Sequence, residues 1–576
     1  MTLRPLLSRA VVGERTWSAL LDLLVLAAVL AGIDGVAVIT RYWFGAVTPA
    51  AEISHSPRAL PLYAFYSVVR IAAAYMMSLA FALAYGYIAA YNRRLEGLMV
   101  AVLDILQSIP VLSFLPGVML AMVALFPTRQ LGVEFGAILL IFTGQVWNMA
   151  FSFYASLKSI PRELREAARI YAFSAWQRFT QLELPYGAIG LVWNSMVSVA
   201  GGWFFLMACE MFVLGKRDFR LPGLGSYLQT AAGSGDTGAV FWGLGAMIGV
   251  ILLIDFLVWR PAIAWSDKFK FEQVEGSAQP TSAVLHMLRR SALIERFSLV
   301  VMAPLSERIN SRFARRAAPA AGSAPRAWKI IAAVLLGVAG AGVILYALDG
   351  AVMTLKTLTG SEVVSTLAGA AATFGRVLVS LAIAALWTIP AGVAIGFDPK
   401  LARIAQPFAQ IAASVPATAL FPVILLALLR IGGGLGVGSI LLMLLGTQWY
   451  VLFNVIAGAM AIPSDLKEVA DVFRFRRWDR WRTVILPGIF PYLVTGMVTA
   501  SGGAWNASIV AEYFHFQGRT LSTIGLGAQI SQATDTGNFA VLLFSTIVMA
   551  LLVVSVNRSV WRPLYRLAQT RFKLES

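Results

Sequence analysis

The sequence predicts an all-α, polytopic membrane protein of about twelve transmembrane helices, arranged as two tandem six-helix repeats. Three observations carry that reading. Of the 576 residues, 59% are hydrophobic and only 13% charged, whereas an ordinary soluble domain has about 25% charged and about 45–50% apolar residues. Runs of about 20 mostly apolar residues, the length that crosses a bilayer core, recur along the whole chain. Residues at a nearly constant spacing also match between its two parts.

The apolar runs of the first half lie near 17–39, 66–91, 98–125, 133–157, 187–213 and 238–262. Those of the second lie near 328–348, 370–396, 404–429, 435–461, 488–513 and 538–560. The expected domains are residues 1–262, a cytoplasmic basic linker at 263–327, and residues 328–576. The run from Trp17 to Val38 follows Arg4, Arg9 and Arg15 as a signal peptide would. It lacks a small-residue cleavage site before a soluble region, so it reads as a retained helix. Lys and Arg outnumber Asp and Glu by 46 to 29. Arg93 and Arg94, Lys400 and Arg403, and the basic residues of 158–178 and 467–482 all fall on one side if the N-terminus is cytoplasmic. Basic charge so placed orients a membrane protein and does not call for nucleic acid. Lys216, Arg217 and Arg220 dissent, falling outside. In the linker, Ala283–Arg296 fits either a basic amphipathic helix on the inner membrane surface or a solvated connection.

The repeat is legible by position. An offset of 302 joins Ile160-Pro161 to Ile462-Pro463, Leu184-Pro185 to Leu486-Pro487, Trp203 to Trp505, Glu210 to Glu512 and Trp259-Arg260-Pro261 to Trp561-Arg562-Pro563. Upstream the offset is 306, joining Arg70 to Arg376, Pro110 to Pro416 and Pro116 to Pro422. Two halves with an even number of spans share one topology, so their axis runs along the membrane normal and a path between them is expected.

The loop after each fourth helix reads Ile-Pro, a charged amphipathic stretch, then Leu-Pro. Proline suits a first helical turn, because its missing N–H would be unpaired there. Acidic residues follow where the helix dipole favours them. The first stretch holds Pro161, Glu166, Ala167 and Ala168; the second holds Pro463, Glu468, Val469 and Ala470.

On these loops the chain resembles the inner-membrane permeases of ABC importers, whose Glu-Ala-Ala loop forms a coupling helix. The finer resemblance is to the nitrate, sulfonate, taurine and bicarbonate group. It rests on Ser67-x-x-Arg70 with Thr373-x-x-Arg376, on Ser108-Ile109-Pro110 with Ser414-Val415-Pro416, on Gly202-Trp203 through Glu210 with Trp505 through Glu512, and on Leu224-Gly225 with Gly525-Leu526-Gly527. The family's glycine after the coupling helix falls on Ala172 and Arg474, and Val469 stands where the family has alanine. The fusion of two such units in one chain is a further departure.

The resemblance implies a type I importer permease fold. It implies docking to two ATP-binding subunits through the eight loop residues just named, and an extracytoplasmic solute-binding protein outside. ATP and Mg would be held by the partner subunits, with no cofactor in this chain and a bacterial inner membrane as its place. The sequence has no Gly-x-x-x-x-Gly-Lys-Ser/Thr phosphate loop. The rival reading is a transporter driven by an ion gradient, which should show paired carboxylates or broken half-helices at mid-membrane.

Ionisable groups inside a bilayer invite a functional reading. Arg70 and Arg376, near the outer ends of the second helices, either face the path and draw an anion inward or snorkel to headgroups. Glu210 and Glu512 end the fifth helices and are candidates for an outer gate or for partners of those arginines. Trp203, Trp505 and Asn506, with Gln145, Asn148 and Gln448 on the fourth helices, are candidates for the passage wall. Trp147 is another, and Asp104 and Asp255 are weaker ones. Pro110, Pro116, Pro416 and Pro422 are expected to break helix three. One cysteine, Cys209, and three scattered histidines (His55, His286, His515) leave no disulfide framework and no histidine metal cluster.

Overall fold

A computed structural model describes residues 4–45, 52–214, 217–269, 282–315, 342, 345–346, 348–430, 432, 434–516 and 519–571. The expected span at 328–348 falls mostly outside these, as do Lys216 and linker residues 270–281. Among the described residues, nine helices are long and apolar enough to cross a membrane. They are Leu21–Trp43, Pro57–Tyr91, Leu131–Ser159, Ala175–Glu210 and Thr237–Phe269 in the first half. In the second they are Gly360–Phe397, Leu435–Ala461, Arg477–Ala511 and Phe539–Ala568. Ordinal numbers below follow the six expected spans of each half.

The third span of each half is not one helix. It is Glu96–Ser108, a 3-10 turn at Val111–Phe114 and Leu115–Leu125 in the first half. In the second it is Pro399–Ser414 followed by Ala417–Arg430. Proline lacks an N–H and pushes the preceding residue out of the helical region. Ile109 (ψ 127°) and Val415 (ψ 118°) are accordingly extended. Only Pro110 and Pro416 make the break. Pro116 sits in a first helical turn, where it is tolerated, and Pro422 lies inside its helix. Carbonyls freed at such a break need partners inside a membrane. Pro110 O accepts from Ser113 N and Oγ, and Pro416 O accepts from Ala419 N. The Ser113 carbonyl accepts from Thr546 Oγ1 of the other half at 3.1 Å.

Within each half the second and fifth helices both pack on the fourth. The second and fourth helices of the second half cross at Gly392 and Gly396, where an added Cβ would sit within 3 Å of Val455 and Ala459 side chains. Small residues four apart are how apolar helices approach in lipid. The first helix is peripheral, with Leu23, Leu24, Leu30 and Ile33 facing outward.

The halves interlock. Ala417–Arg430 packs on the fifth helix of the first half and on Leu224–Ser234 and Thr237–Ile254. Reciprocally, the 3-10 turn at Val111–Phe114 packs on the fifth and sixth helices of the second half. A hairpin follows each fifth helix, Val213–Leu214 with Arg217–Asp218 and Tyr513–Phe516 with Arg519–Ser522. Each hairpin packs on the short helix that follows the opposite one, so the ends of the fifth helices are laced together across the pseudo-two-fold. One buried apolar cluster runs through both halves. In the hairpin region that dissents from the charge rule, the Arg220 guanidinium is paired with Asp218.

Candidate docking loops, central cavity and buried clamps

Each docking loop begins as its prolines dictate. Pro161 and Pro463 are extended (ψ 148° and 144°) and precede nine-residue helices, Arg162–Ile170 and Ser464–Val472. Both helices end identically. Phe173 N donates to Ala168 O and Ala172 N to Arg169 O; Phe475 N donates to Ala470 O and Arg474 N to Asp471 O. This is the Schellman closure, which requires a left-handed residue. Ala172 and Arg474 occupy it, each at φ 50°, where glycine would be unstrained. The departure from glycine therefore leaves the turn intact. Ala168 and Ala470 are buried beneath it, whereas Glu166, Glu468 and Val469 are exposed and Ala167 is half-buried. Exposed apolar residues flank the acidic ones, Ile170 and Tyr171 on the first loop, Leu466, Val472 and Phe473 on the second. A π-helical turn, Phe179–Glu183 or Trp481–Ile485, then leads into each fifth helix.

Between the halves lies a cavity of about 1,380 Å³. Asn148, Phe151, Asn194 and Trp203 of the first half line it, facing Tyr450, Phe453, Asn454 and Asn506 of the second. Ser156 and Ser159, in the last turns before the first docking helix, place one end at the docking-loop side. Val415, Pro416 and Ala417 bring the helix-three break of the second half to its wall. Its charged lining residues are Asp255, Arg562 and Arg566, and Asp255 already accepts from Arg260 at 2.9 Å. The Asp104 side chain lies outside the described residues.

Other candidates stand elsewhere. Gln145 is fully buried off the cavity wall, with neither amide atom partnered among the described residues. Gln448 and Trp505 are also buried away from it, Trp505 stacked against Phe374. Arg70 neither faces the cavity nor snorkels. It is 1% exposed, and four of its N–H donors are used. Two meet Glu134 (2.7 and 2.6 Å), one meets Glu210 (2.7 Å) and one the Pro222 carbonyl (2.8 Å). Glu210 also accepts from Ser67 Oγ and Gly225 N, while Ser67 Oγ accepts from Leu224 N. The carboxylate thus caps the helix Leu224–Ser234, where the dipole favours negative charge.

The second half repeats the clamp with one change. Arg376 donates to Glu512 (2.8 Å) and the Ile524 carbonyl (2.7 Å); Thr373 donates to Glu512 and accepts from Leu526 N; Gly527 N donates to Glu512. The position of Glu134 is held by Gly436, and Arg376 Nη2 turns to Thr523 Oγ1 instead (2.9 Å). Arg376 is correspondingly more exposed, at 15%. A side chain at Gly223 or Gly525 would run into the Glu210 or Glu512 carboxylate, which is why these loops read Gly-Leu-Gly. Sequence reasoning missed Glu134. Its signal was a lone carboxylate opening an apolar helix, without a counterpart in the repeat.

Among the described residues, nine long apolar helices, two broken spans and a cavity between matched halves define a membrane permease of two fused units. The chain belongs to the family described as the binding-protein-dependent transport system inner membrane component, which matches residues 82–259 and 388–560, more than half its length. It is 28% identical over 187 residues to the nitrate import permease protein NrtB of Leptolyngbya laminosa, covering 32% of this chain and 63% of that one. It is 30% identical over 141 residues to the bicarbonate transport system permease protein CmpB of Synechocystis sp., covering 24% and 49%. With the taurine transport system permease protein TauC of Escherichia coli it shares 29% over 183 residues, covering 32% and 62%. The chain thus spans about half to just under two thirds of the curated relatives it matches. These relatives are transport permeases, not enzymes.

Proposed function

We propose that the chain holds both membrane units of an ATP-driven importer, carrying a small anion such as nitrate, a sulfonate or taurine, or bicarbonate. The doubled docking loop carries this reading. Two helices of equal length, started by proline and closed by the same left-handed turn, project acidic and apolar side chains away from the membrane bundle. Nothing in the described chain covers Val472 or Phe473, so a partner with an apolar cleft suits them. One ATP-binding subunit per loop, each holding its own ATP and Mg, and a solute-binding protein against the hairpin side complete the assembly. The docking-loop side and both termini are then cytoplasmic, in a bacterial inner membrane. The anion rests on the relatives' names, and the cavity wall that carries Arg562 and Arg566 beside Asp255 is compatible with it.

The test is co-purification with the ATP-binding subunits. Glu166→Lys together with Glu468→Lys is expected to abolish both association and uptake and to leave thermal unfolding unchanged, because both glutamates are exposed. Uptake that survives the double change and collapses with a protonophore would instead establish a gradient-driven carrier.

A further inference from the structure

The linker between the halves contains a second membrane-facing element. Ser291 Oγ and Leu293 N both donate to Asp22 Oδ1 (2.6 and 3.1 Å). Asp22 lies in the helix Arg4–Trp43, five residues into the apolar run that begins at Trp17, so residues 291–293 are held against the N-terminal part of the first span. At the far end, the helix Ala303–Arg315 rests on the first docking loop, where Trp176 Nε1 donates to Asn310 Oδ1 at 2.7 Å. The equivalent Trp478 is 72% exposed. Both anchors lie on one side of the membrane, the side of the docking loops.

Between the anchors the chain is helical, Ala292–Phe297 continuing through a π-helical turn at Ser298–Met302. Leu293, Phe297, Val300, Val301 and Leu305 follow at steps of four, three, one and four residues, which gathers them on one helix face. All five are exposed, Val300 at 72%. The helix Ala292–Phe297 packs on the first helix, whose Leu23 and Leu24 are exposed as well. Among the described residues, no helix between Phe269 and Gly360 is long and apolar enough to span, so the patch lies along the surface. Arg289, Arg290 and Arg296 are exposed beside it.

We propose that residues 289–305 form an interfacial strap, its apolar side chains in the leaflet on the docking-loop side and its three arginines on anionic lipid headgroups. An apolar face with basic flanks is the composition that lies in an interface. Together with the helix Ala303–Arg315 that continues it, the strap ties the first span to the first docking loop through Asp22 and Trp176; the second loop has no such tie among the described residues. It rests on the membrane reading alone and stands or falls independently of what docks on the loops.

Nitroxide accessibility in the full chain tests it. Val300→Cys and, separately, Val301→Cys are labelled in nanodiscs of phosphatidylcholine and phosphatidylglycerol; Cys209 is buried and leaves the reagent to the new thiol. Both labels are expected to collide with dissolved oxygen in preference to a water-soluble nickel chelate, and a label at Ser311→Cys to show the opposite. Nickel access equal to that at position 311 would overturn the proposal. So would disulfide cross-linking of two chains through Val300→Cys, or shielding that develops only when ATP-binding subunits are added. For the headgroups, Arg289→Gln, Arg290→Gln and Arg296→Gln combined should weaken retention of phosphatidylglycerol over phosphatidylcholine, by about fivefold per arginine. Unchanged retention sinks the headgroup half of the proposal.

Discussion

Arg70 is held by two carboxyl groups in the protein interior, and Arg376 by one at its edge. Removing one member of a buried charged group leaves the others without compensation, at roughly 3–5 kcal/mol. Arg70→Met strands both Glu134 and Glu210, so it is expected to lower thermal stability in nanodiscs by that order. Arg376→Met, partly solvated and with a single carboxylate to strand, should lose less. Equal losses in the two unfolding curves would show that burial does not set the penalty. Gly223→Ala and Gly525→Ala should act on the same clamps from the other side, by displacing the carboxylates. At Ala172 and Arg474 the expected effect has the opposite sign. A non-glycine residue in the left-handed region is destabilised by about 1–2 kcal/mol, partly offset by glycine's larger unfolded-state entropy. Ala172→Gly should therefore strengthen the closure of the first docking helix by about 1 kcal/mol. Hydrogen exchange at the Phe173 amide, which donates to Ala168 O, would slow about fivefold in response.

At the scale of elements, the informative pieces are those that fall short of a full helix. The third span breaks at Pro110 and Pro416, and the carbonyl of Ser113 beside the first break depends on Thr546 of the opposite half. Thr546→Val removes that donor, which is shared with Leu542 O of its own helix, and should destabilise by about 0.5 kcal/mol. The loss should be absent in a Thr546→Ser chain, whose hydroxyl keeps the bond. The docking helices were readable in advance as proline-initiated, dipole-matched segments, because those rules act within one turn. Their termination was not, since the residues at the left-handed position, Ala172 and Arg474, are poor markers of a helix end. The linker is the least readable element. Its composition was compatible with solution or with a surface helix, and the exposed Leu293–Leu305 face acquires meaning only through the anchors at Asp22 and Asn310.

At the scale of the whole molecule, each half lays part of its third span and its hairpin against the other, so each completes the other's packing. Residues 1–269 and 282–576 coexpressed as separate chains are therefore expected to co-purify as one complex; recovery of either half alone would contradict the interlock. The symmetry is incomplete. Glu134 faces Gly436 across the repeat, and Trp176 is covered by the linker helix where Trp478 is bare. Two nearly equal docking loops thus stand in unequal surroundings.

The sequence by itself determined the membrane class, the doubling and the position of the two Ile-Pro to Leu-Pro loop helices, because hydropathy, a fixed offset of 302 and proline signals are local or periodic quantities. Only the tertiary structure decided where the buried charges go. Arg70, Glu134 and Glu210 are separated by 64 and 140 residues, and an isolated ionisable group in an apolar run looks the same whether it faces a passage, a headgroup or a partner. Three-dimensional packing chose the partner, since a guanidinium taken from water without a path to lipid headgroups is stable only where carboxylates and carbonyls meet its donors. Among the residues expected at the passage wall, Asn148, Trp203, Asn506 and Asp255 line the cavity.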